Sequence, residues 1–345
     1  MNWELATVTL PLKRSFGIAR STSTERRILL ARAGGVALGE ASPSSYYGQT
    51  IENTREALEH FLPQFDGDPM YLDTVISAAR KVLGKNAAAL CVFDLALHDW
   101  VGRKLELPLY KFFGIRPDPE KFTTFTISIA EPDVMLADVD AHKDFAMLKI
   151  KLGRNPDQDI EIMRAIRERY PRRLMVDANG GWSPADARRC IKALADLDVE
   201  YVEQPLEMGR IEETAALREE SPLPIFVDED CHTAADIPKL AGKVDGINIK
   251  LMKCGGLREA RQMIAAARAF GLKLMIGCMI ESSVAITAGG HISTLFDYCD
   301  LDGAILLADE PFAGMTVAPD GRMTLPERPG LGVIQTGEVP WTPLG

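Results

Sequence analysis

The feature that most limits how this chain can fold is a recurrence. From residue 122 onward, eight short apolar runs (123–129, 147–152, 174–177, 201–203, 225–228, 246–249, 272–276 and 302–306) alternate with charge-rich stretches of helical spacing, such as 156–170, 183–197 and 257–270. Parallel strands need long crossovers, usually helices, so this alternation predicts a parallel sheet. Eight units predict a (β/α)8 barrel, with a doubly wound open sheet as the alternative. Residues 1–115 read differently: 3–10 and 27–32 have strand-like content, Gly34-Gly35 marks a turn, and 51–61 and 86–104 have helical spacing. The second of these helices is apolar on most sides and must be packed on most sides. The expected organisation is an α+β capping domain over 1–115 and the barrel over 116–310. A Pro- and Gly-rich segment, 311–345, is expected to return and pack on the cap.

Charged residues follow the same period. Lys151, Asp177, Glu203, Asp228 and Lys250 close successive runs, separated by 26, 26, 25 and 22 residues. A barrel of about 250 residues repeats roughly every 25–30, so the spacing sets all five at one height, facing the C-terminal mouth. Each lies in apolar sequence, where an unpaired charge is costly to desolvate. The neighbouring carboxylates Asp177, Glu203 and Asp228 repel one another unless a cation lies between them, and an all-oxygen set suits one Mg2+ per subunit. Lys151 and Lys250, on strands two and six of eight, are diametrically opposed. Two bases flanking one carbon can take a proton from one face and return it to the other, as racemisation or epimerisation requires. Lys149 shares a strand face with Lys151, and its charge, with the metal, is expected to lower the pKa of Lys151. Asn179 and Glu229, beside metal ligands, are candidates to orient them. Lys253 falls past the strand end, which leaves Lys250 as the catalytic candidate.

Several function classes drop out. A net charge of −10, from 39 Lys+Arg against 49 Asp+Glu, leaves no cationic surplus for nucleic acid or an anionic membrane. No apolar stretch reaches the ~20 residues that span a bilayer, and Met1-Asn2-Trp3-Glu4 lacks the basic start of a secretory signal. Six cysteines without a C-x-x-C pair predict free thiols and a cytoplasmic location. Gly255-Gly256 and Gly289-Gly290 lack the dinucleotide pattern G-x-G-x-x-G, and His60, His98, His142, His232 and His291, without ligand spacing, read as structural.

The ordered pieces Lys149-Ile150-Lys151, Asp177-Ala178-Asn179, Glu203-Gln204-Pro205, Asp228-Glu229 and Lys250 through Gly256 resemble the enolase superfamily, and within it the muconate-lactonizing subgroup. Residues 87–102 look like that family's link between cap and barrel. The resemblance implies a Mg2+ that binds a substrate carboxylate, a lysine that abstracts the α-proton, and an enediolate stabilised by the metal. That core site is shared by dehydratases, cycloisomerases, succinylbenzoate synthases and racemases. Asp300-Leu301-Asp302, at the eighth strand, narrows the choice, because residues two apart on a strand share a side and the metal is several strands away. Such a pair calls for another cation, and it resembles the motif with which dipeptide epimerases of the L-Ala-D/L-Glu type bind the substrate's free amino terminus. Muconate or a succinylbenzoate precursor offers no cation there.

Residues 15–20 resemble the family's mobile substrate loop, with Arg20 a candidate to pair with an acidic side chain at the dipeptide's C-terminal position. Thr126 and Glu281 are candidates to border the pocket. The expectation is a Mg-dependent isomerase that inverts the C-terminal α-carbon of a small dipeptide. Cycloisomerase or o-succinylbenzoate synthase activity is the alternative, and a non-catalytic metal- or ligand-binding barrel a more remote one. Homo-oligomerisation stays open.

Overall fold

The two periodicities resolve into two main sheets in the computed structural model, which describes residues 1–344. The first is antiparallel. A long hairpin, β1 (Trp3–Ile18) with β2 (Ser21–Ala33), is joined by β3 (Ala37–Ala41), and Thr342–Pro343 pair with the start of β1. Three helices pack beside it: α1 (Ile51–Phe61), α2 (Leu72–Leu83) and α3 (Ala87–Lys104). Thr50 opens α1 with a reciprocal capping box through Asn53. α3 is buried almost all round because it lies between the cap sheet and the barrel. A short α4 (Leu109–Phe112) leads into the second sheet.

That sheet holds eight parallel strands in chain order: β4 (Phe125–Ile127), β5 (Met147–Lys151), β6 (Arg173–Asp177), β7 (Val199–Glu203), β8 (Ile225–Val227), β9 (Gly246–Lys250), β10 (Lys273–Gly277) and β11 (Tyr298–Asp300). The amide of Thr124 donates to the Cys299 carbonyl at 2.9 Å and draws the two edges together into a barrel. The crossovers carry α5 (Pro132–Ala141), α6 (Pro156–Arg169), α7 (Pro184–Ala195), α8 (Ile211–Glu220), α9 (Ile237–Leu240), α10 (Leu251–Cys254), α11 (Leu257–Ala269) and α12 (Ser283–Gly290). Met147, Met175, Tyr201, Phe226 and Met275 plug the barrel interior. Among the described residues no helix is long and apolar enough to cross a membrane.

The eighth strand lies earlier than expected. Residues 298–300 pair with Met275, Ile276 and Gly277, whereas Gly303–Leu306, expected as strand, form a 3-10 turn. The apolar run at 302–306 is short enough to fit either state by pattern alone. Its Ile305 and Leu306 pack on the core built by the first barrel units.

Carboxylates from the cap dock the two units. Asp94, buried in the middle of α3, accepts from the first amides of α11, Leu257 N at 2.6 Å and Arg258 N at 3.2 Å. Gly256 permits the approach, with φ 108° and room for no Cβ, which would fall 2.3 Å from Asp94 Cγ. Glu40 of β3 does the same for α12, accepting from Ser282 N at 2.8 Å, Ser282 Oγ at 2.5 Å and Ala285 N at 3.1 Å. Both give acceptor oxygens to the free amides of a helix N-terminus.

Burial pushes the Glu40 carboxyl from 4.5 up to about 7, against those donors. Between these values the folded protein keeps a proton that the unfolded chain has released, so this group makes stability fall as pH rises. Glu40→Gln has no proton to lose. Urea unfolding from about pH 4 to about pH 8 should show the variant losing about 3 kcal/mol less than the wild type over that range, and parallel profiles would contradict the assignment.

Candidate active site

Strand register builds the mouth. Lys151 aligns with Asp177, and Asp177 with Glu203. On the far side Lys250 aligns with Gly277, and Gly277 with Asp300. Asp228 follows β8 directly. Side chains two residues apart on one strand share a side, which sends Lys149 below Lys151 and Asn248 below Lys250. Lys149 is fully buried, with Nζ 2.7 Å from Glu203 Oε2, 2.8 Å from Asp300 Oδ2 and 3.3 Å from Asp177 Oδ2. Lys151 Nζ lies 2.5 Å from Asp177 Oδ2, and Lys250 Nζ lies 2.9 Å from Asp228 Oδ2. Both of these lysines border the cavity at the mouth. Lys253, on α10, also pairs with Asp228 but donates to the Cys231 carbonyl, and lies outside the cavity lining.

These contacts divide the carboxyls by charge. Burial raises all of them, but Lys151 and Lys149 hold Asp177 down at about 2, and Lys250 and Lys253 hold Asp228 well below its ordinary value. Glu203 is pushed up to about 7 by burial and by Asp177, with Lys149 only partly offsetting. Burial pulls Lys250 down most strongly, but Asp228 and Glu203 together raise it above its ordinary value.

Behind this layer stands a set of positioning groups. Asn179, at φ 45°, donates its amide N–H to Asp177 Oδ1 at 2.8 Å and its side-chain Nδ2 to Asp177 Oδ2 at 3.3 Å and to Glu229 Oε1 at 3.4 Å. The Gln204 side chain accepts the backbone amides of both Asp228 and Glu229 at 3.0 Å. Asn248 Nδ2 donates to Glu203 Oε1 at 2.7 Å, and Gly277 makes the space, since a Cβ there would sit 2.5 Å from Asn248 Oδ1. Gln204 and Asn248 were not singled out from the sequence. Asn248 had a signal, since it stands two residues before Lys250 as Lys149 does before Lys151.

Above the mouth lies a cavity of about 660 Å3, roofed by 16–27 and 43–52 of the cap. Arg20 borders it but is not free for a substrate carboxylate as expected. Its guanidinium donates to Glu229 Oε1 at 2.7 Å and to the Asn179 carbonyl at 2.6 Å, and stacks 3.9 Å over the Tyr46 ring. Asp300 and Asp302 also border the cavity, yet only one lacks a cation. Asp300 pairs with Lys149 and accepts from the Thr124 and Thr126 hydroxyls at 2.7 and 3.3 Å. Asp302, in the loop after β11 rather than on the strand, accepts the Thr126 amide at 2.7 Å, and burial together with Asp300 raises it to about 7. Cys278, Met279 and Ile280 face the cavity while Glu281 folds back, accepting the Met279 amide at 3.3 Å, so it does not border the pocket as expected.

A capped barrel with opposed lysines at its C-terminal mouth belongs with the barrel enzymes that carry acid–base groups on their strand ends. Residues 134–337 match the model of the enolase C-terminal domain-like family, and the chain belongs to that family. It is 38% identical to an L-Ala-D/L-Glu epimerase of Bacteroides thetaiotaomicron, covering 94% of this chain and 86% of that one. A hydrophobic dipeptide epimerase of Roseobacter litoralis is 39% identical, over 94% of this chain and 95% of its own. Among solved structures, a Cytophaga hutchinsonii dipeptide epimerase complexed with Mg and D-Ala-L-Val superposes with a TM-score of 0.94 at 25% identity, covering 100% and 99% of the two chains.

The Asn248–Gly277 contact makes a quantitative prediction. Asn248→Ala leaves Glu203 Oε1 without its buried donor and should cost about 1–3 kcal/mol in unfolding free energy. Gly277→Ala should cost a similar amount by displacing the same amide. The double variant should cost clearly less than the sum, since the new methyl then meets no amide; additive losses in urea unfolding would refute the contact.

Proposed function

We propose that this chain is a magnesium-dependent dipeptide epimerase, inverting the α-carbon of the C-terminal residue by proton transfer between Lys151 and Lys250. The observation that carries the reading is the pair of buried lysines on opposed strands, each held against a carboxylate of one acidic set. Asp302, in the loop after β11, adds to it as a buried carboxylate without a cation.

Asp177, Glu203 and Asp228 fit a hard divalent cation. They are buried, offer oxygen only, and stand at the ends of adjacent strands, Asp228 directly after β8. Glu203, lifted to about 7, and the unpartnered Asn179 Oδ1 and Glu229 Oε2 beside the set mark a deficit of positive charge. Among the described residues no three acidic, His or Cys side chains close on one point. Lys151 and Lys250 stand on two of the carboxylates instead, where a bound ion would replace them as the counter-charge. Held by Asp177, Glu203 and Asp228, magnesium would supply the positive charge that makes a proton beside a substrate carboxylate easier to remove.

The chain's own residues do the rest. Lys151, released from Asp177, works on one face of the α-carbon, and Lys250, released from Asp228, on the other. Lys149 stays locked among three carboxylates and keeps Asp300 ionised, so Asp300 steadies the Thr124–Thr126 edge while Asp302 receives the substrate ammonium. A substrate without an ammonium leaves Asp302 buried and unpaired. All six cysteines are free, which suits the reducing cytoplasm we assign as its location.

The test is α-proton exchange in D2O with a panel of L,L-dipeptides and their C-terminal epimers, with Mg2+ or with EDTA, followed by NMR. The C-terminal α-proton should exchange with inversion, and EDTA should stop it. Lys151→Ala and Lys250→Ala should each lower epimerisation by about 10^2–10^4-fold, each keeping exchange with at most one stereoisomer, a different one for each variant. No exchange with any dipeptide would overturn the reading.

A further inference from the structure

Three arginines border the cavity, and two are already paired: Arg20 with Glu229 at 2.7 Å and Arg27 with Glu52 at 2.9 Å. Arg26, half-buried on β2, is different. Among the described residues no carboxylate makes an ion pair with it. Its Nε donates to Ser42 Oγ at 2.8 Å and its Nη2 to the Pro43 carbonyl at 3.5 Å, leaving Nη1 without a partner. Burial pulls its pKa down, and the Glu281 carboxylate opposes that shift. Glu281 is a weak counter-ion near neutral pH, because burial and Glu40 push its own carboxyl up to about 8. A desolvated guanidinium without a counter-ion is costly, and this one faces the space the substrate enters.

Its place in the mouth decides which part of a dipeptide it meets. Strands four apart in an eight-stranded barrel are opposed. Arg20 lies over Asn179 and Glu229, just past β6 and β8, whereas Glu281, whose charge Arg26 feels, follows β10 and neighbours β11. With the C-terminal carboxylate at Asp177, Glu203 and Asp228 and the amino terminus at Asp302, the dipeptide spans the mouth. Its N-terminal side chain then falls on the β10–β11 side, where Met279, Ile280 and Leu306 supply an apolar wall for a methylene stem.

We propose that Arg26 sets specificity for the N-terminal residue, selecting dipeptides that carry a side-chain carboxylate there. The proposal rests on the epimerase reading above. The experiment compares kcat/KM for C-terminal epimerisation of L-Glu-L-Ala, L-Gln-L-Ala and L-Lys-L-Ala, and of the reversed pair L-Ala-L-Glu and L-Ala-L-Gln. The wild type should favour L-Glu-L-Ala over L-Gln-L-Ala by at least about tenfold, with less than about threefold between the reversed pair. Arg26→Gln should bring the first ratio close to one, Arg26→Lys should keep its direction, and Arg26→Glu should shift preference to L-Lys-L-Ala. A wild-type ratio near one, a ratio that Arg26→Gln leaves unchanged, or discrimination at the C-terminal position alone would overturn the proposal. The wild-type ratios need no variant to fold. Loss of exchange with every dipeptide is a separate result that removes the epimerase reading, and this proposal with it.

Discussion

Lys149 is enclosed at the centre of the barrel mouth, touching Asp177, Glu203 and Asp300 from three different strands, and the rest of the site is arranged around that one charge. A buried ammonium is stable only when its counter-charges are in place, and removing either side leaves the other uncompensated. One lysine cannot neutralise three carboxylates. It satisfies Asp300, shares Asp177 with Lys151, and leaves Glu203 short, so the remaining demand for positive charge falls on one side of the mouth. On the other side Asp302 is left without a cation. Two separate deficits, one fit for a divalent ion and one for an ammonium, follow from how this single charge is divided.

The layer needs a rigid frame, and the cap provides part of it. Asp94 and Glu40 reach across the domain boundary to the N-termini of α11 and α12, and Asp99 accepts from the amides of Leu38 and Leu331, tying cap sheet and C-terminal segment to the same helix. These contacts fix the roof relative to the strand ends. The hairpin over the mouth is held by Arg154, which donates to the Ile18 carbonyl at 2.8 Å and to Thr22 Oγ1 at 3.0 Å. Cap residues that border the cavity, Arg26 among them, therefore keep a defined position at the mouth.

Much of this was legible in the sequence for a physical reason. A βα repeat forces charged strand ends into a ring, so the spacing of Lys151, Asp177, Glu203, Asp228 and Lys250 carried their height and their neighbours. What stayed hidden was pairing between distant segments. Arg20 and Glu229 are 209 positions apart, and nothing local in either indicates that one occupies the other. Lys149 was placed on the correct side of its strand, yet its contact with Asp300, 151 positions away, depends on barrel closure. The run at 302–306 misled because a short apolar segment fits a strand or a tight turn equally well, and the pairing of 298–300 with β10 decided it. Gln204 and Asn248 carry no charge, so the ladder of ionisable residues does not mark them, although the alternation of β9 points Asn248 at the site.

The claim at the centre of the account is that Asp177, Glu203 and Asp228 together hold one divalent cation in the place the lysines now fill. Calorimetric titration of the purified, metal-free protein with Mg2+ tests it directly. One ion should bind per chain, with binding abolished in Asp177→Asn, Glu203→Gln and Asp228→Asn and the fold retained by circular dichroism. Undiminished binding in any of these three variants, or none in the wild type, would contradict it.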